Sequence, residues 1–273
     1  MLGINTNVPS LTAQKNLTSS SSSINTSISR LSSGLRINSA RDDAAGLAIA
    51  TRMSSEVRGS EVAKRNTNDG ISALQIADGA LSTVTDNVQR MRELAVQAAT
   101  GTLTTDDRTN LAAEFNELKS QVSSVVSGTK FNGVELLTAA AATADLAIQT
   151  GANSGDTTTV QLVDAAAIST AVGAAVLTDA TTSAAAIATI DTQLTALNTG
   201  RATIGAGINR LDAVVSNLDT TVTNVSAARG RIMDADFAKE TANLTRTQIL
   251  QQAGTAMLAQ ANQLPNNVLS LLR

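Results

Sequence analysis

The stretch IATIDTQLTALNTGRATIGAGINRLDAVVSNLDTTVTNV, residues 187–225, carries aliphatic side chains at intervals of seven residues. One register reads Ile190, Leu197, Ile204, Leu211, Leu218 and Val225, and the interleaved register reads Ile187, Leu194, Arg201, Ile208, Val215 and Val222. Apolar seams sustained over this length predict a coiled-coil-like helix, roughly 58 Å long at ~1.5 Å per residue. The seams are interrupted by Gly200, Gly205 and Gly207, which disfavour helix, and we expect a local bend or a close helix approach there.

Two further apolar stripes precede this helix. The first steps by seven through Leu74, Leu81, Val88 and Ala95, with Ala77, Val84, Met91 and Ala98 interleaved. The second runs from Leu111 to Val125 and ends at Ser127-Gly128. The sequence TGTLTTDDR between them supplies Thr and Asp residues suited to capping a new helix. We expect the stripes to pack against one another as an intramolecular helical bundle.

A β-hairpin segment is predicted at about 129–185, within an otherwise mainly α fold of long antiparallel coiled-coil-like helices. In LAIQTGANSGDTTTVQL, residues 146–162, apolar side chains alternate on either side of a Gly- and Asn-containing turn. The sequence FNGV at 131–134 indicates a second tight turn of the Asn-Gly type. The Ala-rich stretch 164–185 is compatible with helix or coil.

Apolar seams also lie near both ends of the sequence, and we expect the two end helices to pair. The first seam consists of Leu17, Ile24, Ile28, Leu31 and Leu35, and the second of Leu250, Met257, Ala261, Leu264, Val268 and Leu271. The intervening residues are mostly Ser, Thr, Asn and Gln, which favours contact with other protein or a neutral wet surface. Because a run such as Ser19–Ser23 has weak helix propensity, we expect these ends to order on association. Pro265 is expected to kink or end the second helix.

The composition limits the chemistry that the chain can perform. It contains no Cys, His, Trp or Tyr. The chain therefore lacks histidine, which is the side chain that normally titrates near neutral pH and the commonest metal ligand, and it lacks the thiolate of cysteine. No Gly-rich phosphate loop and no HExxH motif is present, and we expect no enzyme activity, metal or cofactor. Three widely spaced cations in residues 1–40 make a poor nucleic-acid surface. No apolar run reaches the ~20 residues of a membrane span, and no cleavable signal peptide is expected.

Several long strings together resemble the bacterial flagellins. They are LSSGLRINSARDDAAGLAIATRM (31–53), NDGISALQIADGALSTVTDNVQRMRELAVQAATG (68–101), FNGVELL (131–137) and RIMDADFAKETANLTRTQILQQAGTAMLAQANQLPNNVLSLLR (231–273). The resemblance covers nearly the whole chain except roughly 164–185. It implies an extracellular structural subunit that polymerises into the hollow helical filament of the flagellum and serves swimming motility.

The resemblance also implies a domain organisation and a set of partners. Residues 1–43 with 229–273 would form an inner-tube coiled-coil domain, and 44–228 an outer-tube helical domain without the additional surface domains of long flagellins. The principal partner would be the chain itself, as a helical homopolymer. Further partners would be a flagellar export chaperone, the type III export apparatus, and the hook–filament junction and cap proteins.

Three groups of residues are candidates for function, each with a plainer alternative. Arg41, Asp42 and Asp43 lie at the expected domain junction, where they would set inter-subunit geometry or simply form a charged loop and a helix start. Gln89, Arg90, Leu94 and Glu114 match the flagellin surface that an animal Toll-like receptor recognises; the same face would also pack between subunits. A monomer acting as receptor ligand or adhesin is therefore the alternative function. Ser154, Thr157, Thr158 and Thr159 are candidates for O-linked sugar, or ordinary turn and strand residues.

Overall fold

The computed structural model describes residues 6–138 and 145–271, with side chains described up to residue 263. Its helices are α1 (Val8–Ser33), α2 (Ala44–Ala98), α3 (Thr105–Gly128), α4 (Ala165–Ala174), α5 (Ala180–Met233) and α6 (Phe237–Leu271). Its strands are β1 (Lys130–Phe131), β2 (Val134–Glu135), β3 (Leu146–Gln149) and β4 (Thr157–Val160). The chain divides into a terminal unit, residues 1–56 with 224–273, and a central unit, residues 57–223. The mainly α fold with paired end helices and small hairpins is as predicted.

The core of the central unit is formed by the predicted apolar stripes. All eight stripe residues of α2, from Leu74 to Ala98, are completely buried. In α5, Ile190, Leu197, Ile204 and Leu211 of one register are also completely buried, whereas the interleaved register is only half-buried. At ~25 cal/mol per Å² of apolar area, these side chains supply the main stabilisation of the unit.

Ion pairs along the α2–α5 contact show that the two helices run antiparallel. Lys64 Nζ lies 2.6 Å from Asp219 Oδ1, Arg201 Nε lies 2.9 Å from Asp78 Oδ1, and Arg92 Nε lies 2.5 Å from Asp191 Oδ1. Arg201, the one non-aliphatic residue of the 187–225 seams, is therefore paired with a carboxylate of the facing helix. It stands at the edge of the core, where a long cationic side chain can keep its head group in water.

The turn between α2 and α3 is stabilised by capping. The Thr104 hydroxyl accepts a hydrogen bond from the backbone N–H of Asp107, and the Asp107 carboxylate accepts one from the backbone N–H of Thr104. This is the capping box that satisfies two free N–H groups of a helix start. Bonds from the Thr104 hydroxyl and N–H hold the pKa of Asp107 below its usual value. The Arg108 guanidinium donates to carbonyls at the end of α2 and in the turn, those of Ala98, Leu103 and Thr100.

Both predicted turns of the β segment are present. The β1–β2 hairpin turns through Asn132 (φ 50°) and Gly133 (φ 80°), the left-handed conformations that Asn-Gly turns use. Strands β3 and β4 pair antiparallel, with Leu146 opposite Val160. The stretch that the sequence left open between helix and coil contains helix α4, whose Ile168 and Val172 are buried. Residues 139–144 lie outside the described part of the chain.

Glycines of the long helices make room for the β3–β4 segment. A Cβ at Gly207 would lie 2.6 Å from Val160 Cγ1, and one at Gly200 would lie 2.6 Å from Val163 Cγ2. On α2, a Cβ at Gly70 would overlap Ile148 Cδ1. The expected close helix approach at the α5 glycines is thus an approach of the hairpin segment. A Cβ at Gly205 would meet no atom within 4 Å, so this glycine has no such packing role.

In the terminal unit, the ends of the helices are fixed by local hydrogen bonds. The Asn7 side chain caps α1 by accepting from Ser10 N, and Gly34 ends it in the left-handed conformation (φ 71°). An antiparallel bridge between Leu35 and Asp234 follows, joined by a bond from Arg36 N to Met233 O. Helix α6 continues to Leu271, so Pro265 does not end it. No helix of the described residues has the length and hydropathy needed to cross a membrane.

Candidate assembly surface of the terminal helices

Helices α1 and α6 form an antiparallel pair, called here the terminal pair, which is fastened by polar contacts at both ends. At one end, Asn7 Nδ2 donates to the carbonyl of Ala261 (2.8 Å) and Ser10 Oγ donates to Asn262 Oδ1 (2.8 Å). At the other end, Ser27 Oγ donates to Glu240 Oε1 over 2.6 Å. The pairing of the two end helices that the sequence predicts is therefore confirmed.

The positions buried or half-buried in the terminal pair recur alternately at three and four residues, the spacing of a coiled-coil seam. On α1 they include Ser10, Ala13, Leu17, Ser20, Ile24, Ser27 and Leu31. On α6 they include Glu240, Leu244, Thr247, Gln251, Gly254, Leu258 and Ala261. Most of these side chains are small or polar, so this seam buries little apolar area.

The register of α6 in the pair differs from the predicted one. Leu250 and Met257 are 52 % and 67 % exposed, and they lie on the flank of the pair instead of between its helices. Ile28 is also exposed, and Leu35 lies beyond the end of α1 in the bridge to Asp234. The predicted residues that do line the seam are Leu17, Ile24, Leu31 and Ala261. The predicted Leu264, Val268 and Leu271 lie outside the residues whose side chains are described.

An open groove of about 710 Å³ runs along this flank of the pair. It is lined by Val8, Pro9, Thr12, Ala13, Asn16, Leu17, Ser19, Ser20, Leu250, Ala253, Gly254 and Met257. None of these residues is charged, and the largest apolar ones come from both helices. The unit exposes further apolar side chains outside the groove, among them Leu11, Ile249 and Phe237. Exposed apolar surface of this kind marks a site of contact with another molecule.

The candidate junction residues Arg41, Asp42 and Asp43 lie in an exposed loop immediately before α2. The Asp42 carboxylate accepts bonds from the backbone N–H of Asn38 (3.1 Å) and from the N–H and hydroxyl of Ser39 (2.9 and 3.0 Å). These donors, the Asn38 N–H first, hold the pKa of Asp42 below its usual value. The Asp43 carboxylate accepts from Gly46 N and thereby caps α2. A role in inter-subunit geometry remains a prediction.

The four candidate receptor-recognition residues do not form one exposed surface. Gln89, Arg90 and Glu114 are exposed, and Arg90 is paired with Glu114 at 2.8 Å and with Glu93 at 2.9 Å. Leu94, however, is 1 % exposed and belongs to the core of the central unit. The spacing of four residues predicts a shared face for Arg90 and Leu94, but the boundary between core and solvent falls between them.

The candidate glycosylation residues are likewise divided. Ser154, Thr157 and Thr159 are exposed on the β3–β4 hairpin. Thr158 is buried, and its hydroxyl is hydrogen-bonded to the Thr150 hydroxyl at 3.0 Å. Because alternate residues of a strand face opposite sides, Thr158 points into the unit and is not accessible to modification. Among the described residues, no cluster of three or more potential metal ligands occurs.

Sequence reasoning missed the polar residues that hold the terminal pair together, chiefly Asn7, Ser27 and Glu240. The signal was present in the spacing of α6, where Glu240, Leu244, Thr247 and Gln251 begin a regular seam. This seam was overlooked because the bulkier residues Leu250 and Met257 form a second regular stripe, one residue before the seam positions Gln251 and Leu258.

Comparison with known proteins agrees with this architecture. The family model of the bacterial flagellin N-terminal helical region matches residues 4–143, and that of the C-terminal helical region matches residues 187–272. The chain belongs to the bacterial flagellin family. It is 46 % identical to a flagellin of Halalkalibacterium halodurans over 99 % of both chains, and 38 % identical to the flagellar filament 33 kDa core protein of Treponema phagedenis, again over 99 % of both.

Solved structures give the same result. The crystal structure of Bacillus cereus flagellin is similar with a TM-score of 0.52 and 36 % identity, covering 60 % of this chain and 94 % of that one. A putative flagellar hook-associated protein from Vibrio parahaemolyticus shares the fold with a TM-score of 0.57 at 16 % identity, covering 71 % of this chain and all of that one. The full-length coverage by short flagellins fits a member of the family without large surface domains, and flagellins are structural proteins.

Proposed function

We propose that this chain is the structural subunit of a bacterial flagellar filament and that the terminal pair supplies contacts between subunits. The observation that carries the proposal is the exposed apolar surface of α1 and α6. Most residues between the two helices are small or polar, whereas Leu11, Ile249, Leu250 and Met257 face outward. Such a pair is completed only when further protein covers its outer surface.

The expected gain from covering these residues is large compared with the stability of a small helical pair. Fully burying a Leu, Ile, Phe or Met side chain contributes about 1.5–3 kcal/mol. Several such side chains on one subunit are sufficient to drive association. Contacts between unlike surfaces of identical subunits that do not close a ring generate an open helix, which is the geometry of a filament.

The domain roles and partners follow from family membership as part of this proposal. Residues 1–43 with 229–273 form the inner tube and 44–228 the outer tube of an extracellular filament. A flagellar export chaperone, the type III export apparatus, and the hook–filament junction and cap proteins are the further partners. The receptor-ligand alternative is not favoured, because the relatives are flagellins and a filament core protein, and because Leu94 is buried.

The test is assembly of purified protein, observed by negative-stain electron microscopy and pelleting. We expect tubes from the wild-type chain and none from a Leu250→Ser, Met257→Ser variant, because the variant removes apolar area from the groove. A control variant, Gln252→Ser with Thr255→Ser, alters exposed residues on the opposite flank of α6 and should assemble normally. Deletion of residues 254–273 should also abolish assembly and leave the central unit folded by circular dichroism.

Two results would contradict the proposal. If the wild-type chain gave no polymer, its role as filament subunit would be lost. If the Leu250→Ser, Met257→Ser variant polymerised at the wild-type critical concentration, assembly would have to be assigned to other surfaces.

A further inference from the structure

Glu240 is the one charged residue among the seam positions of the terminal pair given above. It is 8 % exposed. One carboxylate oxygen accepts the Ser27 hydroxyl at 2.6 Å, and the other lies 3.8 Å from Arg30 Nη1. The Nε of Arg30 is buried, and among the described residues it has no hydrogen-bond partner. A carboxylate is therefore enclosed between the two helices with one hydroxyl and one cation to compensate it.

Apart from the hydrogen bonds at Asn7 and Ser10 and the bridge before α6, the rest of the seam does little to prevent the helices from sliding. Its α1 side repeats small residues at heptad spacing, Ala13, Ser20 and Ser27, beside an aliphatic series with the same spacing, Leu17, Ile24 and Leu31. Its α6 side includes Thr247, Gly254 and Ala261. Small side chains at heptad spacing fit nearly as well after a slide of one heptad, which is about 10 Å along the helix. Apolar packing alone thus specifies the register weakly.

A slide of one heptad would also break the hydrogen bond between Ser10 and Asn262 and the bridge between Leu35 and Asp234. Among the seam positions given above, however, Glu240 is the one whose displacement leaves a charge without its partner. Its carboxylate would move from Ser27 to a position opposite Ser20 or Gly34. Arg30 is the only basic residue between positions 16 and 35, so the slide also separates the carboxylate from its cation. Enclosing a carboxylate without a counter-charge is strongly unfavourable, and single buried polar groups are known to fix register in coiled coils.

We propose that Glu240, held by Ser27 and Arg30, sets the register of α1 against α6. It acts as a positioning residue for the assembly surface, because the register determines which residues of the two helices meet across the groove. Its importance for assembly rests on the proposed filament function, whereas the register itself can be measured without it.

A simpler role for Glu240 has to be distinguished. The residue lies in the first turn of α6, where its backbone N–H binds the carbonyl of Asp236. A carboxylate near a helix start stabilises the helix by itself. In that case its removal would weaken α6 but would not allow the two helices to slide.

Engineered disulfides can report the register, because the chain contains no cysteine of its own. The native reporter combines Leu17→Cys with Gly254→Cys, since a Cβ at position 254 would lie 3.5 Å from Leu17 Cδ1. The slipped reporters combine Leu17→Cys with Thr247→Cys or with Ala261→Cys, one heptad away in either direction. Each cysteine pair is oxidised in two samples: the unassembled variant, and polymer in which a small proportion of the variant is mixed with wild-type protein. The disulfides formed are quantified by mass spectrometry of the peptides.

Each cysteine pair is introduced into four versions of the chain: wild type, Glu240→Ala, the charge exchange Arg30→Glu with Glu240→Arg, and the control Lys239→Ala. The control removes an exposed neighbouring charge. We expect the ratio of native to slipped disulfide to fall at least about tenfold in Glu240→Ala, since the penalty for the slipped register is gone. The ratio should recover in the charge exchange and stay unchanged in Lys239→Ala.

Other outcomes overturn the proposal. An unchanged ratio in Glu240→Ala means that packing alone sets the register. Loss of both native and slipped disulfides in that variant means that Glu240 stabilises the pair or the helix without selecting the register. A charge exchange that behaves like Glu240→Ala excludes the ion pair as the cause. Failure of the wild-type chain to polymerise would remove the proposed function but leave these ratios measurable.

Discussion

The central and terminal units use their apolar helix faces in opposite ways. In the central unit, the α2 stripe and the α5 register from Ile190 to Leu211 are completely buried, and charged pairs such as Arg201–Asp78 lie at the edge. In the terminal unit, the buried residues of α1 are Ser10 and Ser27, while Leu11 and Ile28 are exposed. The first arrangement is a finished core, whereas the second is a surface that lacks its partner. A helical stripe of apolar residues therefore identifies a buried face without telling which molecule buries it.

The same substitution in the two units should separate these roles most clearly. We expect Leu211→Ala to lower the free energy of unfolding of the central unit by about 2–5 kcal/mol, because Leu211 is completely buried. Leu17→Ala removes a half-buried side chain that lines the groove, and should cost about 1 kcal/mol or less. Denaturant titration gives both values.

When assembly is measured in place of stability, Leu17→Ala should have the larger effect of the two substitutions. Leu17→Ala is expected to raise the critical concentration for polymerisation, whereas Leu211→Ala should affect it only through loss of folded protein. Equal losses of stability from the two substitutions would show that the terminal pair is as complete a core as the central unit.

Glycines of α5 offer a sharper test of how closely the central unit is packed. Gly207→Ala should destabilise the unit by about 1–3 kcal/mol, because the new methyl group would overlap the stiff, β-branched Val160. Gly205→Ala is the matched control two residues away in the same helix. Its methyl group meets open space, so it should stabilise the helix by about 0.5–1 kcal/mol. Thermal unfolding monitored by circular dichroism would show changes in stability of opposite sign for the two variants. Changes of the same sign would contradict the role of Gly207 in making room for the hairpin segment.

The smallest expected effect concerns the charged loop of the terminal unit. Because the folded-state pKa of Asp42 is lowered, the stability it contributes is present above the ordinary aspartate value of 3.8 and is lost as the pH falls through its folded pKa. At neutral pH, Asp42→Asn should therefore speed amide hydrogen exchange at Asn38 and Ser39, and the difference from wild type should vanish in acid. The exposed Asp212→Asn serves as control. A difference that persists in acid would mean that the carboxylate charge is not responsible.

The sequence predicted the central unit well and the terminal unit incompletely, for a physical reason. Heptad spacing located α3, α5 and the second half of α2, and Asn-Gly chemistry located the turn at 132–133, because local spacing and intramolecular burial agree there. In α6 they disagree: Leu250 and Met257 form the more apolar stripe, yet Glu240 and Gln251 line the contact with α1. Leu94 and Thr158 were predicted to be accessible because each follows exposed residues in the sequence, but both side chains are buried.

Pairing within the terminal helices also has a consequence for the order of folding. The hydrogen bond between Asn7 and Ala261 joins residues 254 positions apart, so it closes nearly the entire chain into a loop. Closing so long a loop has an entropic cost that local helix and hairpin contacts do not carry, and contacts of high sequence separation form slowly. Helix α1 is synthesised early, but it can pair with α6 only after nearly the whole chain has been made. Because the groove is built from both helices, the adhesive surface is absent from any incomplete chain and arises as the last event in the maturation of the subunit.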